Sequence, residues 1–543
     1  MDELVAPKQC ALMAVASVWM VPISYISHVR CYLQLAKLLA SHGIAVTLFC
    51  TKDDSDRLHA AEPKMCESWK LDGLDLRLRL FYIQQPPELA DGENGPERLV
   101  TLIRDQEQAL KIILTNEAQL GHSRPSCVIS DPWLPGVREA ASELKLPSWV
   151  FIPFSTAYTS TCIYLTDLAS KGILNLPTSQ LDEESQEMIS LPGLPLVRIC
   201  DIDPTFFKDY VLFEQARRNG PSMQKAEVLL LSTFEELEHR AVRELKKLLQ
   251  YLARNNNTQM PQIWTIGPTF SFVAKSVRPN VNGFKEGDVQ PCLRFLDKQP
   301  PSSVVYVAFG NDWNHTPEQV LEIAYGLETS QQPFLCVLHY PRKTEQYPSG
   351  DLFQVIPPEL INRTKGRGLF VQDWAPQLEI LAHPSTGGFI THCGQNSILE
   401  SISMGIPLLA WPLICDQMIN CRSLVDEVEV ALEICKGADG SVDRREVERK
   451  VRALFHSEEG TTVRQNAQVM RQLAIESVGI KGSTYKNMQA LVALIKEKAY
   501  ASLLSMMNSI VQAYLNNTSR QWLESNRVMV VEDVFVRRTI ATT

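Results

Sequence analysis

The sequence is poor in several features that would assign it to a specialised class. Its 13 cysteines form no CxxC pair and keep no regular spacing from Cys10 to Cys435, so no disulfide framework is readable, and a reducing compartment fits this odd, scattered set better. Basic charge is in deficit. Lys and Arg number 53 against 62 Asp and Glu, for a net charge of −9 and a pI near 5.7. That balance argues against a phosphate-backbone partner, and no nucleic-acid role is expected. There is no internal repeat and no low-complexity tract. Sequons, at Asn256, Asn314, Asn362 and Asn516 among others, have meaning only in a secreted chain.

Long apolar runs are equally scarce. Only Cys10 to Val29, CALMAVASVWMVPISYISHV, lacks any formal charge over a length that raises the question of a signal peptide or membrane anchor. Pro22, Ser24, Ser27 and His28 interrupt its second half, and Asp2 and Glu3 precede it. It therefore reads as a buried parallel strand, Ala11 to Val21, running into a loop. No integral membrane segment is expected, and the expected location is cytoplasmic. What is present is the composition of a soluble globular protein, with 45% hydrophobic residues, 21% charged residues and 26 glycines. At 543 residues the chain exceeds one ordinary core, so two large domains with additions are expected.

Periodicity supports an α/β organisation. In HVRCYLQLAKLLASHG, Val29, Tyr32, Leu33, Ala36, Leu39 and Ala40 recur at helical spacing and Gly43 suits a C-cap. IAVTLFC follows as a second buried strand, completing a βαβ unit with His28 at the mouth of its helix. SCVISD, REAASELK and SWVFIPF continue as strand, helix and strand. Between about 250 and 300 the chain turns polar and turn-rich, as in NNNTQMPQ and VRPNVNGFKEGD, which reads as a linker. SSVVYVAFG then opens a second α/β series through PFLCVLH, GLFVQDW, GGFITH and IPLLAWP. Two facing Rossmann-like domains follow, with ligands expected at the carboxyl ends of the strands.

The junction FITHCGQNSILES carries the strongest local chemistry. A strand ends in His-Cys-Gly and a helix begins at once, so unpaired backbone N–H groups and the helix dipole favour an anion there. His392 and Ser397 add donors, and Glu400, one turn on, suits the vicinal hydroxyls of a ribose. A second candidate is His28, just past the first strand. Asp131 closes the strand of VISDPW, in a position to orient the imidazole if the two strands are neighbours.

From Trp374 to Gln417 the chain reads WAPQLEILAHPSTGGFITHCGQNSILESISMGIPLLAWPLICDQ. This closely resembles the nucleotide-sugar signature of the plant UDP-glycosyltransferases, an inverting, metal-independent family of GT-B fold. The similarity runs over roughly residues 11 to 499, with LPGLP, STFEELE, IGP and FLDKQPPSSVVYVAFG in the family's order. The resemblance implies that Trp374 stacks on uracil, Gln377 lies near the nucleoside and Glu400 binds the ribose diol. It places the diphosphate on His392, Asn396 and Ser397, in the turn that also holds Gly394 and Gln395. Asp416, Gln417 and Thr156 then meet the sugar. His28 and Asp131 match the family's base and its orienting carboxylate. The implied reaction is transfer of a sugar, with glucose the default, from a UDP-sugar to the hydroxyl of a small lipophilic acceptor, with no metal or other cofactor. The formal DxD triplet Asp201-Ile202-Asp203 reads as a loop and cap instead.

The resemblance also implies domain boundaries: 1–250 for the acceptor, 251–300 as linker, 301–475 for the UDP-sugar, 476–499 as a helix returning to the first domain, and 500–543 unassigned. A monomer is expected. Three departures stand out. SYIS before His28 is bulkier than the family's small turn. Asn311, followed by Asp312, stands where the family has Ser or Thr near the phosphates. Gln395 stands where the family has Trp, and either only its backbone N–H matters or its side chain alters donor choice. The rival from another class is a non-catalytic binding protein of the same fold; His28 with Asp131 argues against it, since binding alone needs no oriented base.

Overall fold

The computed structural model describes residues 16–61, 73–83, 96–119, 124–170, 188–190, 196–198, 201–202, 210–269, 291–310, 315–339, 350–437 and 440–515. The first sheet is seven-stranded and parallel. In spatial order it runs Leu76–Phe81 (β3), Ala45–Thr51 (β2), Ser17–Val21 (β1), Cys127–Ser130 (β4), Ser148–Ile152 (β5), Val228–Leu231 (β8) and Gln262–Thr265 (β9). A two-stranded antiparallel pair, Met188–Ser190 (β6) and Leu196–Arg198 (β7), stands apart. The central strands are apolar on both faces, as a sheet covered by helices on both sides requires.

The second sheet has six parallel strands. These are Gly368–Gln372 (β12), Phe334–Leu338 (β11), Val304–Ala308 (β10), Thr386–Thr391 (β13), Leu408–Ala410 (β14) and Ala431–Glu433 (β15), in that spatial order. Each sheet reverses its winding once, between β1 and β4 in the first and between β10 and β13 in the second. At such a reversal the following helices leave on opposite faces and open a crevice beyond the strand ends. His28 and Asp131 follow β1 and β4; His392 follows β13 beside Gly310, which follows β10. Both candidate sites thus lie where the topology opens the sheet.

The halves interlock. Phe234 and Leu237, from the segment after β8, are buried in the core of the second sheet, while Ile419 from the second half is buried in a core of the first. The long helix Ser483–Leu515 buries Met488, Leu491, Val492, Ile495 and Ala499 in the core that lies on one face of β1, β2 and β4. Two boundary expectations are corrected. The helix runs past residue 499 to Leu515, because the apolar run LLSMMNSIVQAYL carries no helix breaker. Residues 251–265 are not linker: the helix His239–Asn256 extends into them and QIWT supplies β9. The Asn- and Gln-rich stretch ahead of it hides an edge strand too short to show alternation.

Of the expected first strand, residues 11–15 lie outside the described residues; Ser17–Val21 is strand. No described helix is long and apolar enough to cross a membrane. The described cysteines form no disulfide among themselves.

Candidate active site

The helix Ile26–Ser41 (α1) starts directly in the crevice of the first sheet, with Tyr25 as an extended N-cap. The loop ahead of it is held by buried Gln106, which accepts from Ser24 N at 2.8 Å and donates to Pro22 O at 2.8 Å. His28 therefore has a defined position. Its Nδ1 lies 2.7 Å from Asp131 Oδ2. Asp131 is fully buried, its Oδ1 accepts from Trp133 N at 3.0 Å, and its own N–H donates to Val21 O at 2.9 Å. Arg138 donates to the Asp131 carbonyl at 2.8 Å; burial pushes its guanidinium down to about 10, still cationic at neutral pH. A carboxylate fixed from both sides and bonded to Nδ1 sets the tautomer and leaves Nε2 as the basic nitrogen. Tyr25 and Phe154 stand beside the imidazole, with ring centroids at 6.0 and 6.5 Å. The mouth is thus aromatic.

Across the interface, the helix Gln395–Met404 begins at Gly394, extended at φ −68° and ψ 141°, with no side-chain cap. Its first N–H groups are the orphan donors of a helix start. His392 stands at the tip of β13. Burial lowers its imidazole to about 4, so it is neutral at pH 7 and offers one N–H without a charge. Its ring lies against Gly310 and Gly394: a Cβ on either would come within 2.8 or 2.4 Å of Nε2. Cys393, between His392 and Gly394, takes φ 67°, which is strained for a residue with a Cβ. Asn420 steadies the turn by donating to the Cys393 carbonyl at 2.9 Å.

Trp374 follows Asp373, whose φ of 75° turns the chain sharply after β12, and the indole is left 37% exposed and open for stacking. Gln377 donates to Ser397 Oγ at 3.1 Å and to Glu400 Oε2 at 2.8 Å. Asp416 accepts from Asn420 Nδ2 at 2.8 Å, and Gln417 Oε1 accepts from Leu413 N at 2.9 Å and Ile414 N at 3.0 Å. Gln377, His392, Gly394, Ser397 and Glu400 are accordingly gathered around one helix start, with Trp374 three residues before Gln377 and Asp416 and Gln417 opening the next helix.

Several side chains are engaged differently from expectation. Gln395 is buried and donates to Ser232 O of the first half at 3.2 Å, so its amide serves the interface between halves. Asn396 donates to Ser27 O at 3.1 Å and accepts from the Cys31 thiol at 2.7 Å. Thr156 gives both its N–H and its hydroxyl to Glu238, each at 3.0 Å, and is fully buried. Asn311 and Asp312 lie outside the described residues, as does Asp203; Asp201 pairs with Arg198 at 2.6 Å.

Sequence reasoning missed Arg30, which meets Glu400 at 3.0 Å, and Glu238, whose carboxyl is pushed upward by burial. One signal was readable: Arg30 is the first charge after the uncharged stretch ending at Val29, and it falls at the start of a ligand-facing helix.

Two doubly wound parallel sheets, with an oriented histidine on one and an open helix start on the other, form a two-domain α/β fold of the Rossmann-like class. Comparison with known proteins narrows the class. The family model for UDP-glucoronosyl and UDP-glucosyl transferase matches residues 260–441. The chain is 30% identical to UDP-glycosyltransferase 72B1 of Arabidopsis thaliana, over 88% of this chain and 96% of that one. It is 31% identical to 7-deoxyloganetin glucosyltransferase of Gardenia jasminoides, over 88% and 97%. The solved structure of Phytolacca americana UGT2 with UDP-2fluoro-glucose and pterostilbene superposes with a TM-score of 0.71 at 25% identity, covering 89% of this chain and 99% of that one. A Siraitia grosvenorii transferase in complex with UDP gives 0.69 at 26%, covering 88% and 99%. The chain belongs to the plant UDP-glycosyltransferase family, and it is an enzyme that transfers sugar from a UDP-sugar to an acceptor.

Proposed function

We propose that the enzyme transfers glucose from UDP-glucose to a hydroxyl of a small lipophilic acceptor, with inversion and without a metal. The observation that carries this reading is the 2.7 Å contact between His28 and fully buried Asp131, set in the crevice that faces the helix start at Gly394. His28 Nε2 takes the proton of the acceptor hydroxyl as its oxygen attacks the anomeric carbon from the face opposite UDP. The new C–O bond forms as the bond to the β-phosphate oxygen breaks. Asp131 stabilises the imidazolium that results.

Negative charge develops on the departing diphosphate. The N–H groups of residues 395–397, the helix dipole, His392 and Ser397 are the donors that meet it, the task a metal ion performs in other transferases. Trp374 offers its exposed indole to uracil, and Glu400 with Gln377 receives the ribose. Asp416 and Gln417 orient the sugar hydroxyls; Thr156, whose side chain is bonded to Glu238, supports the wall of that pocket. Tyr25, Phe154 and Tyr158 give the acceptor side its aromatic, lipophilic character.

The test is UDP release with a panel of hydroxylated lipophilic acceptors crossed with several UDP-sugars. UDP-glucose is expected to give the highest turnover, unchanged in excess EDTA. Replacing His28 by Ala is expected to lower O-transfer by about 10²–10⁴-fold, the usual worth of a placed base, with UDP binding retained. Near-normal turnover in His28→Ala rejects the assignment of the base.

A further inference from the structure

The proposed ribose carboxylate already has a charged partner, and that partner comes from the opposite half of the molecule. Arg30 NH1 lies 3.0 Å from Glu400 Oε1, and Gln377 Nε2 occupies Oε2 at 2.8 Å; the Glu400 side chain is 2% exposed. The contact belongs to a small clasp. Asn396, one turn before Glu400, is tied to Ser27 O at 3.1 Å and to the Cys31 thiol at 2.7 Å. Ser27, Arg30 and Cys31 fall at i, i+3 and i+4, one face of α1. The helix that carries the base His28 is thus fastened to the helix that carries the donor site.

Glu400 is too enclosed for a pair of hydroxyls to reach it unless Arg30 or Gln377 moves. A guanidinium makes charge-assisted bonds to a carboxylate, stronger than those of a neutral hydroxyl, so Arg30 is an effective competitor at that oxygen. We propose that Arg30 is a donor-affinity determinant: it competes with the ribose hydroxyls of the nucleotide for Glu400, so that UDP-sugar entry opens an ion pair between the halves. This rests on the reading of Glu400 as the ribose carboxylate. Removal of the guanidinium takes its bonded partner from Oε1, and binding then opens no ion pair between the halves.

The experiment is calorimetric titration of UDP and of 2′-deoxy-UDP into the full-length wild type, Arg30→Ala, Arg30→Gln, Glu400→Gln and the Arg30→Ala/Glu400→Gln double variant. Arg30→Gln keeps the aliphatic stem and a polar end without the charge, so it tests the idea even if Arg30→Ala misfolds. Both Arg30 variants are expected to bind UDP at least about tenfold more tightly, the scale of one hydrogen bond to a charged group. The gain is expected to shrink with 2′-deoxy-UDP and to vanish when Glu400 is Gln. In turnover, KM for the donor falls while kcat does not rise. Unchanged or weaker UDP binding in a folded Arg30 variant overturns the proposal. If the double variant binds UDP as tightly as Arg30→Ala does, Glu400 holds no ribose and the donor-site reading falls with it. If the double variant binds more weakly while Arg30→Ala matches the wild type, only the role of Arg30 falls.

Discussion

Two histidines at equivalent places, each just beyond a strand at a winding reversal, have opposite surroundings. His28 is bonded to a buried carboxylate and stands among aromatic rings at the cleft. His392 is enclosed between two glycines, and no hydrogen-bond partner reaches its Nδ1 among the described residues. Burial lowers its imidazole from 6.5 to about 4. The sign of the linked stability follows directly. The unfolded chain binds the proton more readily, so the stabilisation is complete above pH 6.5 and is lost as pH falls from 6.5 toward 4. The loss amounts to ~3 kcal/mol at one site. Urea unfolding between pH 4 and 7 should show this as a slope that His392→Gln removes; an identical pH dependence in the two proteins contradicts it. At this scale, residue types and motif order single out His28, Asp131, His392 and Glu400 as candidates. Their partners were not readable, because Gln395 and Ser232 lie 163 positions apart and Asn396 and Ser27 lie 369 apart. No local pattern encodes such a meeting.

At the scale of elements, the site depends on how strands hand over to helices. The tight turn Thr391–Gly394 delivers the chain from β13 into the next helix with its first N–H groups uncapped. Gly394 is needed there for space and not for backbone freedom, since its φ of −68° suits any residue. A Cβ would stand 2.4 Å from His392 Nε2 and displace the ring. Gly394→Ala is therefore expected to weaken UDP binding by about 10–100-fold, one charge-assisted hydrogen bond, with little change in the melting temperature. Calorimetry with UDP decides it; unaltered affinity means that His392 does not contact the diphosphate. The strand–turn–helix order was legible here because a buried parallel strand is an unbroken apolar run and the following helix shifts the period to 3.6. Strand β9 was not: four residues, half-exposed and preceded by an Asn- and Gln-rich stretch, carry no period.

For the whole molecule, function depends on the two halves meeting in register. Phe234 and Leu237 enter the second core, Ile419 enters the first, and the helix Ser483–Leu515 covers the sheet that carries His28. Ile495 is fully buried in that sheet's core. Ile495→Ala is expected to cost about 2–5 kcal/mol of stability, as truncation of a buried aliphatic side chain does, while UDP affinity of the folded protein is kept. Denaturant unfolding alongside UDP titration checks both; a cost below ~1 kcal/mol would mean that the helix is dispensable for the first half.

The sequence by itself determined the α/β class, the two sheets and the strand–turn–helix order within Trp374 to Gln417, and it put His28 and Asp131 each just past a strand. These follow from periodicity, strand order and motif content, all carried by residues close along the chain or by one sheet's topology. Only the tertiary structure decided what the motif residues touch. It turned Gln395 and Asn396 toward the other half, gave Thr156 to Glu238 and set Arg30 against Glu400. Apart from the Thr156–Glu238 bond, which stays within the first half, each is a contact between surfaces brought together by the packing of whole domains. A buried polar group must find whichever partner that packing supplies.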